Sequence, residues 1–261
     1  MIIDSHAHYD DEQFDIDRNE VLERIQKQGV ARVVNPSANV ATAEKCLKLA
    51  KEYSFFYTAM GIHPHEAKEM SDEVLIKLRD MAGYEKVVAI GEIGLDYHYD
   101  FSPRKIQKSC FSAQIRLAKE LKLPLIIHDR EAHKDIMDII KAEKADAVGG
   151  VFHCFTGSVE MAREVLDMGF YIALGGAVTF KNAKKPVEVA KFVPNDRLLV
   201  ETDSPYMTPV PFRGKRNDSG YLEEIIKKLA EIRGTTPELV AEHTSVNADR
   251  LFGLNLMEAE I

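Results

Sequence analysis

The sequence predicts an α/β protein, a single (β/α)8 TIM barrel domain over residues 1–261, and three observations support that fold class. Short runs rich in β-branched residues alternate with amphipathic segments of roughly 10 to 20 residues, which is the pattern of repeated βα units around a parallel sheet. There are eight such runs. A chain of 261 residues is also long enough for one complete barrel. A doubly wound open sheet produces the same alternation and is the alternative.

The predicted strands are short apolar runs such as VVAIG and LIIH, and each is followed by a helical pattern. Because every connection is long enough to hold a helix, the strands are expected to be parallel. They cover residues 1–4, 30–35, 55–60, 87–91, 124–128, 147–153, 170–174 and 197–201.

The predicted helices show apolar residues at helical spacing, and several carry start signals. Ser71, Ser102 and Thr236 each precede an acidic residue or a proline, which is typical of an N-cap. The helices cover residues 16–28, 39–53, 72–82, 103–122, 131–145, 158–168, 186–192, 219–233 and 236–252.

One long irregular segment covers residues 204–219, directly after the last predicted strand. It contains Pro205, Pro209, Pro211 and Gly214, so we expect a loop of defined conformation. In barrels, loops at this end of the strands carry function.

The composition excludes several classes of protein. With 34 Lys and Arg against 42 Asp and Glu, the net charge is -8, which argues against a protein that coats nucleic acid by bulk charge. The three cysteines form no metal-type pair and no even disulfide set. The first residues form no signal peptide, and no apolar run is long enough to cross a membrane. We therefore expect a cytoplasmic protein with no membrane contact, and we favour a monomer.

Metal-ligand residues recur at one structural position, the carboxyl end of a predicted strand. A buried imidazole or carboxylate there costs several kcal/mol, about 2–7 for a neutral polar group, unless a partner compensates. Five predicted strands carry such residues, and a shared metal site would compensate the cost at all of them. We therefore favour a metal site over five unrelated hydrogen-bonded residues. The residues are His6, His8, Glu92, His128, His153 and Asp203.

These six side chains exceed the four ligands of one tetrahedral ion, so the sequence predicts two divalent metal ions. Imidazole and carboxylate donors suit zinc, manganese, magnesium or nickel. Glu92 comes from the middle of the barrel order and is the candidate bridging ligand.

Six segments resemble the TatD family of metal-dependent deoxyribonucleases, within the amidohydrolase-like barrels. A lone HxH would be weak, but the segments span nearly the whole chain and together are highly specific. They are IDSHAHYD at 3–10, GIHPH at 61–65, GEIGLDYH at 91–98, IIHDR at 126–130, FHCFTG at 152–157 and ETDSPYMTPVPFRGKRN at 201–217.

The resemblance implies both the ligand sets and the substrate. It implies one ion on His6, His8, Glu92 and Asp203, and a second on Glu92, His128 and His153. It further implies hydrolysis of DNA phosphodiester bonds, often as a 3′-to-5′ exonuclease. A small-molecule amidohydrolase, lactonase or phosphoesterase on the same barrel is the alternative.

Further residues are expected to bind the substrate or to orient a metal ligand. Arg213, Lys215 and Arg216 lie in the last loop and are candidates for phosphate contacts. His63 is a candidate substrate contact, although it is compatible with a structural role in its loop, and His65, Asp96 and His98 raise the same question. Glu201 alternates with Asp203 and is expected to orient a ligand from the second shell.

The expected mechanism uses a metal-activated water, with Asp203 accepting its proton beside Glu92. An acidic protein fits single-stranded DNA or frayed ends, where contact is limited to a few phosphates. Four aromatic residues are candidates for stacking on terminal bases or for packing: Tyr9, Phe155, Tyr206 and Phe212.

Overall fold

The computed structural model describes residues 1–255 and contains one eight-stranded parallel sheet in the order β1 to β8. Every strand is buried along at least half of its length, as expected when helices cover a sheet that is closed on itself. The strands are β1 Ile2–Asp4, β2 Val30–Pro36, β3 Phe56–Met60, β4 Val87–Asp96, β5 Leu125–Arg130, β6 Gly150–Phe152, β7 Tyr171–Leu174 and β8 Leu198–Val200.

The sheet closes into a barrel between β1 and β8, just beyond the ends of the two strands. Ser5 N donates to Val200 O at 3.1 Å, and Asp203 N donates to His6 O at 2.9 Å. Ala7 forms a parallel bridge with Ser204. The prediction of a (β/α)8 barrel is confirmed, and its seam passes through three of the predicted metal ligands.

A core of inward-facing side chains fills the barrel below that seam. All eight strands contribute to it, the end of the last helix adds Ala248 and Phe252, and the segment after that helix adds Leu254. The hydroxyl of Tyr57 donates to the carbonyl of Leu254 at 2.8 Å, which fixes this plug beneath the strands. The opposite end of the barrel, where the strands terminate, is therefore the open one.

Within residues 1–255, nine α-helices surround the sheet. Ser71 and Thr236 are N-caps as predicted, since their side chains accept hydrogen bonds from Val74 N and Leu239 N. None of these helices is long and apolar enough to cross a membrane. They are α1 Arg18–Lys27, α2 Val40–Glu52, α3 Asp72–Ala82, α4 Arg104–Leu121, α5 His133–Glu143, α6 Val159–Asp167, α7 Lys184–Phe192, α8 Leu222–Arg233 and α9 Pro237–Phe252.

Several boundary predictions are wrong, and α8 for example begins at Leu222 rather than at residue 219, because a 3-10 helix covers Ser219–Tyr221. Strand β4 runs to Asp96, well past the predicted end at residue 91, because its register against β5 shifts after Ile90 and pairing then resumes. Strand β6 begins at Gly150, since the residues before it form a short 3-10 helix. Ser102 caps no helix; its hydroxyl donates to the carbonyl of His65 at 2.8 Å.

Glycines allow β4, β5 and β6 to approach one another closely. Gly94 has φ +145, and a Cβ atom there would lie 2.0 Å from the carbonyl oxygen of His128. Gly150 has φ +152, and its Cβ atom would lie 2.3 Å from the carbonyl oxygen of Leu125. At both positions, the positive φ and the lack of space for a Cβ atom therefore require glycine.

Gly149 and Gly150 provide a matched test of this close approach. Gly149 also has a positive φ, +65, but nothing lies within 4 Å of its Cβ position. We expect Gly149→Ala to lower the free energy of unfolding by about 1–2 kcal/mol, from strain alone. Gly150→Ala adds steric overlap and should cost about 2–5 kcal/mol. Urea denaturation measures both, and equal losses would contradict this explanation.

Candidate metal centre

The predicted metal ligands converge at the open end of the barrel. His6 and His8 follow β1 and Asp203 follows β8, so the seam brings these three side chains together. Glu92 lies inside β4, His128 inside β5 and His153 directly after β6. His63 joins them from the loop after β3.

Glu92 is the centre of this cluster, and its two carboxylate oxygens face different histidines. Oε1 lies 2.8 Å from His128 Nδ1, 2.8 Å from His153 Nε2 and 3.5 Å from His63 Nε2. Oε2 lies 3.3 Å from His6 Nε2 and 3.5 Å from His8 Nε2. The carboxylate therefore divides the imidazoles into two groups, one on each oxygen.

Asp203 belongs to the group on Oε2. Its Oδ1 lies 3.8 Å from His6 Nε2 and 3.7 Å from His8 Nε2. His6, His8 and Asp203 thus present donor atoms close enough to share one ion, and so do His63, Glu92 and His128. Imidazole nitrogens and carboxylate oxygens in such groups are the donor set of zinc and related divalent ions.

The charges in the cluster depend on one another. Burial raises the pKa of Glu92, but His153, His63 and His6 outweigh it and hold that pKa well below its usual range. Burial also lowers the pKa of His8, yet Glu92 and the nearby aspartates raise it to about 9. Glu92 is therefore an anion that attracts cations, whether protons or metal ions.

His63 and Asp203 respond mainly to burial. Burial lowers the pKa of His63 to about 4, which leaves its imidazole neutral and free to donate an electron pair to a metal. Burial raises the pKa of Asp203 to about 6. The sequence predicts that His63 contacts the substrate, but in the structure it also lies where it could bind a metal ion.

Several buried donor atoms in the cluster make no hydrogen bond within the part of the chain that the structure describes. They are Nδ1 of His6, Nδ1 of His153 and Oε2 of Glu201. Leaving such atoms unpaired is costly, and the three residues that carry them form a compact group whose ligand atoms lie close enough to share an ion.

Glu201 lies beneath the cluster, where sequence alternation predicts it. Its Oε1 accepts a hydrogen bond from Cys154 N and lies 3.7 Å from His153 Nδ1. A carboxylate beside the outer nitrogen of an imidazole orients that ring toward a metal. Since His6, His153 and Glu201 also form a compact group, direct ligation by Glu201 is compatible with the same geometry.

Asp96, which the sequence indicated only as a possible substrate contact, supports the cluster from the other side. It is fully buried, and its Oδ2 lies 3.2 Å from His128 Nε2 and 2.8 Å from His65 Nε2. Strand alternation places residues 92 and 96 on one face. The predicted strand stopped at residue 91, so the sequence did not place Asp96 on the same face of β4 as Glu92.

The basic residues of the last loop make contacts within the protein. Arg216 forms a bidentate pair with Asp17, at 2.8 and 2.6 Å. Arg213 is exposed, donates to Thr208 O at 2.9 Å and lies 4.2 Å above the Phe180 ring. Lys215 is exposed and lies 5.3 Å from the Phe212 ring centroid. The guanidinium group of Arg216 is thus occupied by its pair with Asp17, whereas the charged groups of Arg213 and Lys215 remain exposed.

Two of the aromatic residues considered for stacking are core residues. Tyr9 is fully buried and packs on Phe14 and Phe56, and Phe155 is also buried. Tyr206 is half exposed, with its hydroxyl donating to Asp11, and Phe212 packs on Tyr221. Packing therefore explains Tyr9 and Phe155.

Comparison with known proteins identifies what this arrangement resembles. A family model described as TatD related DNase matches residues 3–253. An uncharacterized metal-dependent hydrolase, YabD of Bacillus subtilis, is 51% identical over 98% of this chain and 100% of its own length. A 3′-5′ ssDNA/RNA exonuclease, TatD of Cronobacter sakazakii, is 36% identical over 95% of this chain and 96% of its own. The crystal structure of YjjV, a TatD homologue of Escherichia coli, superposes with a TM-score of 0.91 at 32% identity, covering 97% and 98% of the two chains.

Metal binding should stabilise the folded chain. At a concentration 100 times the dissociation constant, Zn²⁺ added to chelator-treated protein should contribute about 2.7 kcal/mol. For a domain of this size that raises Tm by about 5–10 °C. Differential scanning calorimetry measures the change.

His153→Ala and His243→Ala are the matched variants for this measurement. His243 lies on α9, in a cavity next to the start of β8 at the far end of the barrel. We expect His153→Ala to lose at least half of the Tm increase and His243→Ala to retain it. The same increase in both variants would place the ions elsewhere.

Proposed function

This chain belongs to the TatD-related DNase family, a family of metal-dependent hydrolases, and we propose that it is a phosphodiesterase that removes nucleotides from the 3′ end of single-stranded DNA with two divalent ions. The observation that carries the proposal is the division of the histidines between the two oxygens of Glu92. A carboxylate in that arrangement suits a bridging ligand.

The ligand assignment follows from that division. His6, His8 and Asp203 would hold one ion together with Oε2 of Glu92. His128 and His153 would hold the second ion together with Oε1, with His63 on the same side. When bound, the ions would supply Lewis-acid stabilisation of phosphoryl charge and a lowered pKa for the attacking water.

The protein's own groups position substrate and move the proton. Asp203 accepts the proton of the water, and because its Oδ1 faces His6 and His8, we assign the proton to Oδ2. Asp96 holds the ring of His128, and Glu201 holds that of His153. The exposed charges of Arg213 and Lys215 are available to phosphate oxygens of the substrate.

The choice of substrate rests on two considerations. Relatives of similar length carry the name 3′-5′ ssDNA/RNA exonuclease, which supports a nucleic acid with a free end. The net charge of -8 suits a substrate that contacts the protein through few phosphates. Arg216 is left out of the phosphate contacts, since its guanidinium is paired with Asp17.

A product ladder tests the proposed reaction. Single-stranded DNA labelled at its 5′ end should shorten one nucleotide at a time in the presence of Mn²⁺ or Mg²⁺, and a chelator should stop it. Single-stranded RNA and a panel of small amides, lactones and phosphoesters serve as comparison substrates. Turnover of a lactone or an amide, with intact DNA after long incubation, would replace the proposal by the small-molecule alternative.

Asp203→Asn tests the role assigned to the base. Loss of a general base lowers kcat by about 10²–10⁴-fold. We expect that loss at saturating metal, with the circular dichroism spectrum and the metal content retained. Asp196→Asn is the control, because Asp196 is exposed in the short helix that precedes β8 and lies at the other end of the barrel. Wild-type kcat in metal-loaded Asp203→Asn would remove Asp203 from this role.

A further inference from the structure

Two aromatic rings stand exposed beside the metal centre, on the segment between β4 and α4. Tyr99 is 47% exposed and Phe101 is 58% exposed. The rings are stacked, with centroids 5.3 Å apart and an interplanar angle of 26°. Single exposed apolar side chains are common, but a stacked exposed pair is a feature of binding surfaces.

The backbone that carries the rings is held firmly. The Oδ1 atom of Asp96 accepts hydrogen bonds from the backbone N–H groups of His98 and Tyr99, at 3.0 and 2.9 Å. The side chain of Gln107 donates to Ser102 O at 2.8 Å, and Lys68 Nζ donates to Phe101 O at 2.8 Å. The rings are therefore ordered before a ligand arrives, which reduces the entropy cost of binding.

A single imidazole connects the pair to the metal centre. The ring of His65 lies 5.4 Å from that of Tyr99 and 4.8 Å from that of Phe101. The Nε2 atom of the same histidine lies 2.8 Å from Asp96, whose other partner is His128. A group stacked on the pair would thus sit next to the proposed site of cleavage.

The charge around the rings suits an anionic aromatic ligand. Arg130 ends β5, two residues beyond His128, and is exposed. Its guanidinium carbon lies 4.8 Å from the centroid of the Tyr99 ring. Arginine in this position can contact a phosphate while it stacks on an aromatic face.

We infer that Tyr99, Phe101 and Arg130 form a nucleotide subsite of the metal centre, in which the rings stack on a base of the single-stranded substrate and Arg130 contacts the adjacent phosphate. This inference rests on the proposed function and adds the group that binds the bases. Stacking accepts any base, because every base has a π face, so the subsite binds without sequence preference.

Leucine substitutions separate stacking from simple apolar contact. Tyr99→Leu and Phe101→Leu keep bulk but lose the flat ring, whereas Tyr99→Phe and Phe101→Tyr keep the ring. Tyr84→Leu is the control, since Tyr84 precedes β4 and lies at the opposite end of the barrel. Each variant is loaded with Mn²⁺ and tested on single-stranded DNA and on an oligomer of the same length that lacks bases.

For the wild-type protein, KM for the base-free oligomer should exceed KM for DNA by about 5- to 150-fold, the effect of stacking one base. In the double leucine variant, KM for DNA should rise to the base-free value, so that the difference disappears. The ring-preserving variants and Tyr84→Leu should keep the wild-type ratio. A double leucine variant that retains that ratio would overturn the subsite.

A binding measurement distinguishes failure of the subsite from failure of the proposed reaction. The chain contains no tryptophan, so quenching of 2-aminopurine in a labelled oligonucleotide can be followed without indole fluorescence. Metal-free wild-type protein should quench the probe, and the double leucine variant should not. Quenching without cleavage would reject the nuclease and keep the subsite, while cleavage with equal quenching in both proteins would reject the subsite and keep the nuclease.

Discussion

The carboxylate of Glu92 is the interaction on which the open end of this barrel depends. A buried carboxylate requires positive charge or hydrogen bonds. Glu92 obtains them from five imidazoles, one contributed from within β5 and the others from positions beyond the ends of β1, β3 and β6. Conversely, the histidines are tolerated together because one central anion faces all of them. Divalent ions bound between these groups would satisfy both requirements at once.

The seam of the barrel supplies the rigidity that such a cluster needs. Asp4 is fully buried at the end of β1 and accepts hydrogen bonds from the N–H and hydroxyl groups of Thr202, at 3.0 and 2.6 Å. It also accepts from the hydroxyl of Ser219 at 2.7 Å, and burial raises its pKa to about 7. This network ties β1, β8 and the start of α8 together directly beneath His6 and Asp203. Positioning within fractions of an ångström is what a multi-ligand centre requires.

The sequence predicted the site best where residues of a metal-binding type stand at the ends of predicted strands. Parallel strands end at one edge, so the histidines and acids at five of the predicted strand ends could be brought together without knowing any distance. The resemblance of these segments to the TatD family is confirmed. The contact of Asp96 with His128 was missed because the apolar period breaks at Glu92 and Gly94, although the strand continues. The pair between Arg216 and Asp17 joins residues 199 positions apart, and no local pattern indicates such a partner. Burial of Tyr9 and exposure of Tyr99 likewise depend on which neighbours the fold supplies.

Anomalous diffraction from crystals grown with Zn²⁺ tests the central arrangement most directly. We expect two peaks at the open end of the barrel, one beside each oxygen of Glu92, the first also contacting His6 and His8 and the second His128 and His153. A single peak, or peaks that do not contact Glu92, would contradict the bridging role from which the proposed chemistry follows.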